Sequence, residues 1–173
     1  MLLCFKGSGL FCKLFPMSTS SDRAPQFKLK NEDDEWIDSE ALYASGPILI
    51  AFYPGDFTLV CTKQLCGYQN ALASFEKLNI KLVGISSDPP EKHRDFKSTY
   101  QLKFTLLSDP GRVVAKAFGA TSPFLFGATS RAVFIVDKMG HILYKKVEMV
   151  PVTHQKADEL ISVIEALNLK PNA

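Results

Sequence analysis

Residues 47–66 read Pro47-Ile-Leu-Ile-Ala-Phe-Tyr53-Pro54-Gly-Asp-Phe-Thr58-Leu-Val-Cys61-Thr-Lys-Gln-Leu-Cys66. From Ile48 to Tyr53 the apolar residues are continuous rather than alternating, the pattern of a strand covered on both faces. Pro54-Gly55-Asp56 ends it, because proline offers no N–H to a ladder and the triplet is a turn sequence. Beyond the turn, Leu65, Leu72, Phe75 and Leu78 fall at helical spacing and predict one helix from about Leu59 to Leu78.

The same alternation of strand and helix continues on both sides. A strand is expected around Phe27 to Lys30, followed by a charged turn from Asn31 to Glu35. Ile80 to Ser86 reads as a second buried strand, closed by Ser87-Asp88-Pro89-Pro90, and a helix follows from Glu91 to Tyr100. Phe104 to Leu107 is a short strand, and a turn at Ser108 to Gly111 leads into a short helix ending at Phe118. Ala132 to Val136 and Ile142 to Val147 form a hairpin around Asp137 to Gly140. The last helix is expected from about His154 to Leu167, with Leu160, Ile161, Ile164 and Leu167 on its apolar face. These elements predict an α/β domain with a central mixed sheet flanked by helices.

Residues 1–16 differ from this body. They are apolar, are broken by Gly7, Gly9 and Pro16, and carry Lys6 and Lys13 without an acid. They are read as a non-core extension whose removal leaves fold and activity intact, with residues 17–173 as one domain and no catalytic role for Cys4 or Cys12. Net charge is +2, and both excess charges lie in that extension, so the body is electrically balanced. A balanced body predicts neither nucleic acid nor anionic membrane as a partner. No apolar run approaches the roughly 18 residues of a membrane span. Four cysteines are too few for a disulfide scaffold.

Cys61 is placed just after a strand end, in the first turn of a helix. There the unpaired N–H groups and the positive end of the helix dipole stabilise a thiolate. A free cysteine is most commonly a small buried apolar residue, and position alone leaves both readings open. Thr58, one helical turn earlier, can direct its hydroxyl toward whatever the sulfur attacks, or cap the helix. Pro54 can shield the sulfur from bulk water, or simply end the strand.

The arrangement Pro54-x-x-x-Thr58-x-x-Cys61 resembles the peroxidatic-cysteine motif of the peroxiredoxins. Two further segments are similar to that family: Phe104-Thr-Leu-Leu-Ser-Asp-Pro-Gly with Val114-Ala-Lys-Ala-Phe-Gly119, and Arg131-Ala-Val-Phe-Ile-Val-Asp137 with Gly140-His-Ile. The resemblance covers about residues 25–168. The spacing from Cys61 to Cys66 is similar to the bacterioferritin-comigratory, or Q-type, branch.

That resemblance implies a thioredoxin-like fold and a thiol peroxidase needing no metal or organic cofactor. Cys61 would attack a hydroperoxide and become a sulfenic acid, and Cys66 would close an intramolecular disulfide on it. Thioredoxin or a similar dithiol would then reduce that bond by exchange. Arg131 is carried over as the guanidinium beside the thiolate, stabilising negative charge on sulfur and on the departing oxygen. A monomer is expected, with a dimer as the other possibility. The expected compartment is the cytoplasm, since an exchanging disulfide needs a reducing supply and no export signal is legible. One departure is Gln64, where many relatives carry a glutamate; an amide can hydrogen-bond but cannot bridge to an arginine as an anion.

Helix geometry adds a condition. On an intact α-helix, positions i and i+5 lie about 140° apart around the axis and their Cα atoms about 8.7 Å apart. A disulfide tolerates at most about 7 Å, so a Cys61–Cys66 bond requires the first turns, roughly Leu59 to Gly67, to unwind. Thr62 and Gly67 are poor helix formers and lower the cost of that opening.

Two other functions fit parts of the pattern. A thioredoxin-like disulfide oxidoreductase is weakened by four residues between the cysteines where such enzymes have two. A holdase on the same fold would leave Cys61 slow to alkylate and unchanged by peroxide. His93, His141 and His154 lie in separate segments without metal-ligand spacing and are read as surface or helix-cap residues. Phe124, Leu125 and Phe126, just before Arg131, are read as loop packing, with an apolar collar for organic peroxides as the alternative.

Overall fold

The apolar run after Pro47 becomes an interior strand whose side chains alternate between two separate cores. The computed structural model describes residues 22–122, 127–148 and 153–169. The extension over residues 1–16 with Cys4 and Cys12, the start of the body at Met17, and the segment Phe124, Leu125 and Phe126 lie outside the described residues.

In chain order the elements are β1 (Lys28–Asn31), β2 (Trp36–Asp38), α1 (Ser39–Ala44), β3 (Ile48–Phe52), α2 (Leu59–Asn70), α3 (Leu72–Lys77), β4 (Lys81–Ser86), α4 (Pro90–Tyr100), β5 (Thr105–Ser108), α5 (Val113–Ala117), β6 (Thr121–Ser122), β7 (Ala128–Thr129), β8 (Ala132–Val136), β9 (Ile142–Val147) and α6 (Ala157–Leu167). Among the described residues, seven strands form one mixed sheet in the order β2-β1-β5-β4-β3-β8-β9, and β6 pairs with β7 apart from it. β3, β4 and β5 run parallel, linked through helices, while β8 and β9 return antiparallel beside β3.

Leu49, Ala51 and Tyr53 point to one core, where they meet Cys61 and Leu65 of α2, Phe75 of α3, Phe96 of α4 and Leu160 of α6. Ile48, Ile50 and Phe52 point to the other, against Tyr43 of α1 and Val114 of α5. Every residue of β3 is wholly buried, each larger apolar side chain contributing about 1.5–3 kcal/mol. Gly84 on β4 is required by this packing: a Cβ there would sit 2.8 Å from Leu106 Cδ2 and 3.2 Å from Tyr53 Cε1.

Two expected helices are corrected. The span from Leu59 to Leu78 divides at Ala71, which leaves helical geometry (φ −94°, ψ 1°) between α2 and α3. At 100° per residue, Leu78 on a single straight helix would lie about 140° around from Leu65; with the break, Leu78 packs against the core cluster that holds Leu65 and Phe75. The last helix begins at Ala157 rather than His154, because Gln155 is engaged elsewhere. Its carbonyl accepts the Tyr68 hydroxyl (2.8 Å) and its amide donates to the Tyr144 hydroxyl (2.9 Å). α1 was not expected, although Asp38 caps it by accepting the Glu40 N–H at 2.8 Å.

Candidate active site

β3 delivers the chain to the site and Pro54 ends the strand. Tyr53, wholly buried, still donates its N–H to the Ile85 carbonyl at 3.1 Å. The turn that follows is held by side chains of other segments. Asp88 Oδ2 accepts the Asp56 N–H at 2.6 Å, and a Cβ on Gly55 would come within 3.0 Å of that oxygen. Phe57 adopts the left-handed region (φ 61°), costing a bulky residue about 1–3 kcal/mol. Its ring packs against Phe96 and Tyr100 at centroid distances of 5.1 and 6.2 Å.

Thr58 occupies the N-cap position of α2 with extended backbone, but its side chain does not cap the helix. The hydroxyl donates instead to the Gly55 carbonyl over a long 3.3 Å. α2 therefore opens without a side-chain cap and without an acidic residue in its first turn, leaving its N–H dipoles available to an anion.

Cys61 lies in that first turn and is wholly buried. Arg131, the residue before β8 and 6% exposed, brings Nη2 to 3.4 Å from Cys61 Sγ. The fold thus joins a residue of the helix that follows β3 to the residue that precedes β8, the antiparallel neighbour of β3. The guanidinium places a permanent positive charge and an N–H donor beside the sulfur, where negative charge formed in a reaction would be stabilised. Cys66 lies farther along the same unbroken helix, partly buried, and both thiols are free. Burial pushes the Cys66 thiol up.

Gln64, Lys146, Glu148 and Gln155 line a small pocket with Arg131, together with Ala132 and Val133. Gln64, wholly buried, donates Nε2 to the Tyr68 hydroxyl at 3.2 Å. Burial, chiefly, pushes Tyr68 well above the ordinary tyrosine value, so its hydroxyl stays a donor to Gln155. Gln64 Oε1 and Gln155 Oε1 are buried without a hydrogen-bond partner. Lys146 lies between Glu148 (3.3 Å) and Glu159 (3.6 Å), and burial followed by the Arg131 charge pushes His154 down.

The histidine expectation is corrected at His93. It is wholly buried on α4, with Nδ1 2.6 Å from Asp56 Oδ2 and Nε2 3.2 Å from the Leu107 carbonyl. Sequence reading missed it because its partners are 37 and 14 residues away. His141 is the surface residue expected, partly exposed beside Asp137 on the β8–β9 hairpin. Among the described residues no group of three or more His, Cys, Asp or Glu side chains could hold a metal ion, and no helix is long and apolar enough to cross a membrane.

Comparison with known proteins follows the same lines. Residues 21–145 match the AhpC/TSA family. The chain is 31% identical over 156 residues to a protein named peroxiredoxin Q, chloroplastic, from Populus jackii, covering 89% of this chain and 71% of that one. It is 38% identical over 130 residues to a putative peroxiredoxin of Mycobacterium tuberculosis, covering 72% and 82%. The crystal structure of peroxidoxin BcpB from Mycobacterium tuberculosis superposes with a TM-score of 0.75 at 27% identity, covering 84% of this chain and 96% of that one.

Proposed function

The chain belongs to the AhpC/TSA family as a thiol-dependent peroxidase of the peroxiredoxin Q branch, and from that footing we propose that Cys61 is its nucleophile and Cys66 its resolving thiol. The observation that carries this reading is the 3.4 Å contact of Arg131 Nη2 with a buried sulfur at an uncapped helix start.

The Cys61 thiolate attacks the terminal oxygen of a hydroperoxide in line with the O–O bond. That bond breaks as the S–O bond forms; sulfur loses two electrons and the peroxide gains them. The departing oxygen leaves as water or an alcohol once protonated, and the guanidinium of Arg131 stabilises its charge before the proton arrives. Thr58, exposed and held only by a long bond to Gly55, is free to turn its hydroxyl to the peroxide. Pro54, partly buried at the strand end, closes the turn against water.

In the second step the Cys66 sulfur attacks the sulfenic sulfur, water leaves, and a disulfide forms. The unbroken α2 separates the two cysteines, so its first turns unwind for this step. A thioredoxin-type dithiol then restores both thiols by exchange. This cycle is completed within one chain, which supports a monomer. It also needs a reducing compartment, and the cytoplasm supplies one.

Intact mass after one equivalent of hydrogen peroxide tests the assignment. The wild type should lose two hydrogens, and Cys66→Ser should gain one oxygen at Cys61. Loss of two hydrogens through any other cysteine pair contradicts the reading.

A further inference from the structure

A buried polar cluster beneath the Pro54–Thr58 turn takes no part in the steps above. His93 Nε2 faces the Leu107 carbonyl, which can only accept, so Nε2 carries a hydrogen. The 2.6 Å approach of Nδ1 to Asp56 Oδ2 then requires one proton between them, since two lone pairs would repel at that distance. The His93–Asp56 pair is therefore neutral as a unit, which is what a wholly buried position requires. Asp56 Oδ1 accepts the Tyr53 hydroxyl at 2.7 Å, and burial with the neighbouring Asp56 charge keeps that hydroxyl protonated.

A second tether lies alongside. Phe57 rests on Phe96 and Tyr100, and His93, Phe96 and Tyr100 are spaced three and four residues apart, along one face of α4. This face grips Asp56 and Phe57, the two residues immediately before Thr58. It also maintains Phe57 in a backbone conformation that a bulky residue would not hold alone.

We propose that His93 is a positioning residue for peroxide reduction: acting through Asp56, it fixes the turn that sets Thr58 and the start of α2 against Arg131. The role rests on Cys61 being the nucleophile, and it concerns geometry rather than ionisation of the sulfur. Peroxide must meet sulfur, Thr58 and Arg131 in one arrangement, whereas a simple alkylating agent needs only an accessible thiolate. Misplacement of the turn by about 1 Å can cost on the order of a hundredfold in an oriented reaction.

The test compares two rates at Cys61 in the full-length reduced chain at one pH: oxidation by hydrogen peroxide and alkylation by iodoacetamide, both read by peptide mass. In His93→Gln one amide cannot serve Asp56 and Leu107 on opposite sides, and the ratio of peroxide to alkylation rate should fall about tenfold or more. In Asp56→Asn the amide can donate to a neutral His93 Nδ1 and still accept from Tyr53, so the ratio should stay within about twofold of wild type. A folded His93→Gln with an unchanged ratio overturns the proposal. So does a tenfold fall in Asp56→Asn, which would show that the buried charge matters rather than the placement. If His93→Gln fails to fold, Asp56→Ala decides: it removes the carboxylate through which His93 acts, the ratio should again fall about tenfold or more, and an unchanged ratio overturns the proposal. If peroxide leaves wild-type Cys61 unoxidised, the nucleophile assignment fails, and the positioning role fails with it.

Discussion

The turn Pro54–Thr58 and the first turns of α2 are adjacent in the chain and are held in opposite ways. The turn is fixed from outside: Asp88 takes its Asp56 N–H, His93 and Tyr53 hold the Asp56 carboxylate, and two rings of α4 hold Phe57. α2 opens with no side-chain cap, a largely exposed Leu59, and Gly67 within its length. Peroxide attack needs sulfur, hydroxyl and guanidinium in fixed relation; disulfide closure needs two cysteines on one helix to approach. A rigid turn followed by a helix that can release serves both steps.

The largest effect expected lies where the two regions meet. Arg131→Ala should slow peroxide oxidation of Cys61 by on the order of a hundredfold or more, as loss of an oxyanion donor does elsewhere. Single-turnover oxidation followed by mass gives the rate, and a change under threefold would place the charge stabilisation in other groups. On the fixed side, Asp88→Ala leaves the Asp56 N–H unpaired and should cost about 1–3 kcal/mol of stability, seen as a lower denaturation midpoint. An unchanged midpoint would mean that the turn does not depend on this bond.

Gly67→Ala addresses the releasing side. A Cβ there meets nothing within 4 Å, so the substitution should stabilise α2 by about 1 kcal/mol. If α2 must open before the disulfide closes, closure should slow roughly fivefold while peroxide oxidation is unaffected. Equal closure rates in the two proteins would separate disulfide formation from helix opening.

The smallest effect concerns pH. Burial raises the Cys66 thiol above its ordinary value, so the folded helix favours the protonated form. That preference is full below the unfolded thiol value and is lost as pH rises through the folded one. Closure after peroxide oxidation should therefore accelerate steadily from pH 7 toward and beyond the ordinary value of 9.0, as Cys66 ionises and the helix loses this support. A rate independent of pH would mean that ionisation of Cys66 does not control the step.

Much of this was legible in the sequence because it is local. The continuous run of β3, the stop at Pro54, and the hairpin at Asp137–Gly140 are each set by neighbouring residues. Pro54, Thr58 and Cys61 lie within eight consecutive residues, and Arg131 was marked by resemblance rather than by any local pattern. The break at Ala71 and the late start of α6 were not legible, since each answers to packing or hydrogen bonds across the fold. The His93–Asp56 pair was hidden for the same reason: nothing near His93 in sequence announces a carboxylate 37 residues earlier.

Amide exchange on the reduced and the fully oxidised protein compares the two regions directly, with mass analysis verifying the Cys61–Cys66 bond. Protection should fall on oxidation across residues 59–67 and remain unchanged over residues 55–57, where Asp88 and α4 hold the backbone. Equal protection across residues 59–67 in both forms, with that bond present, would contradict the account.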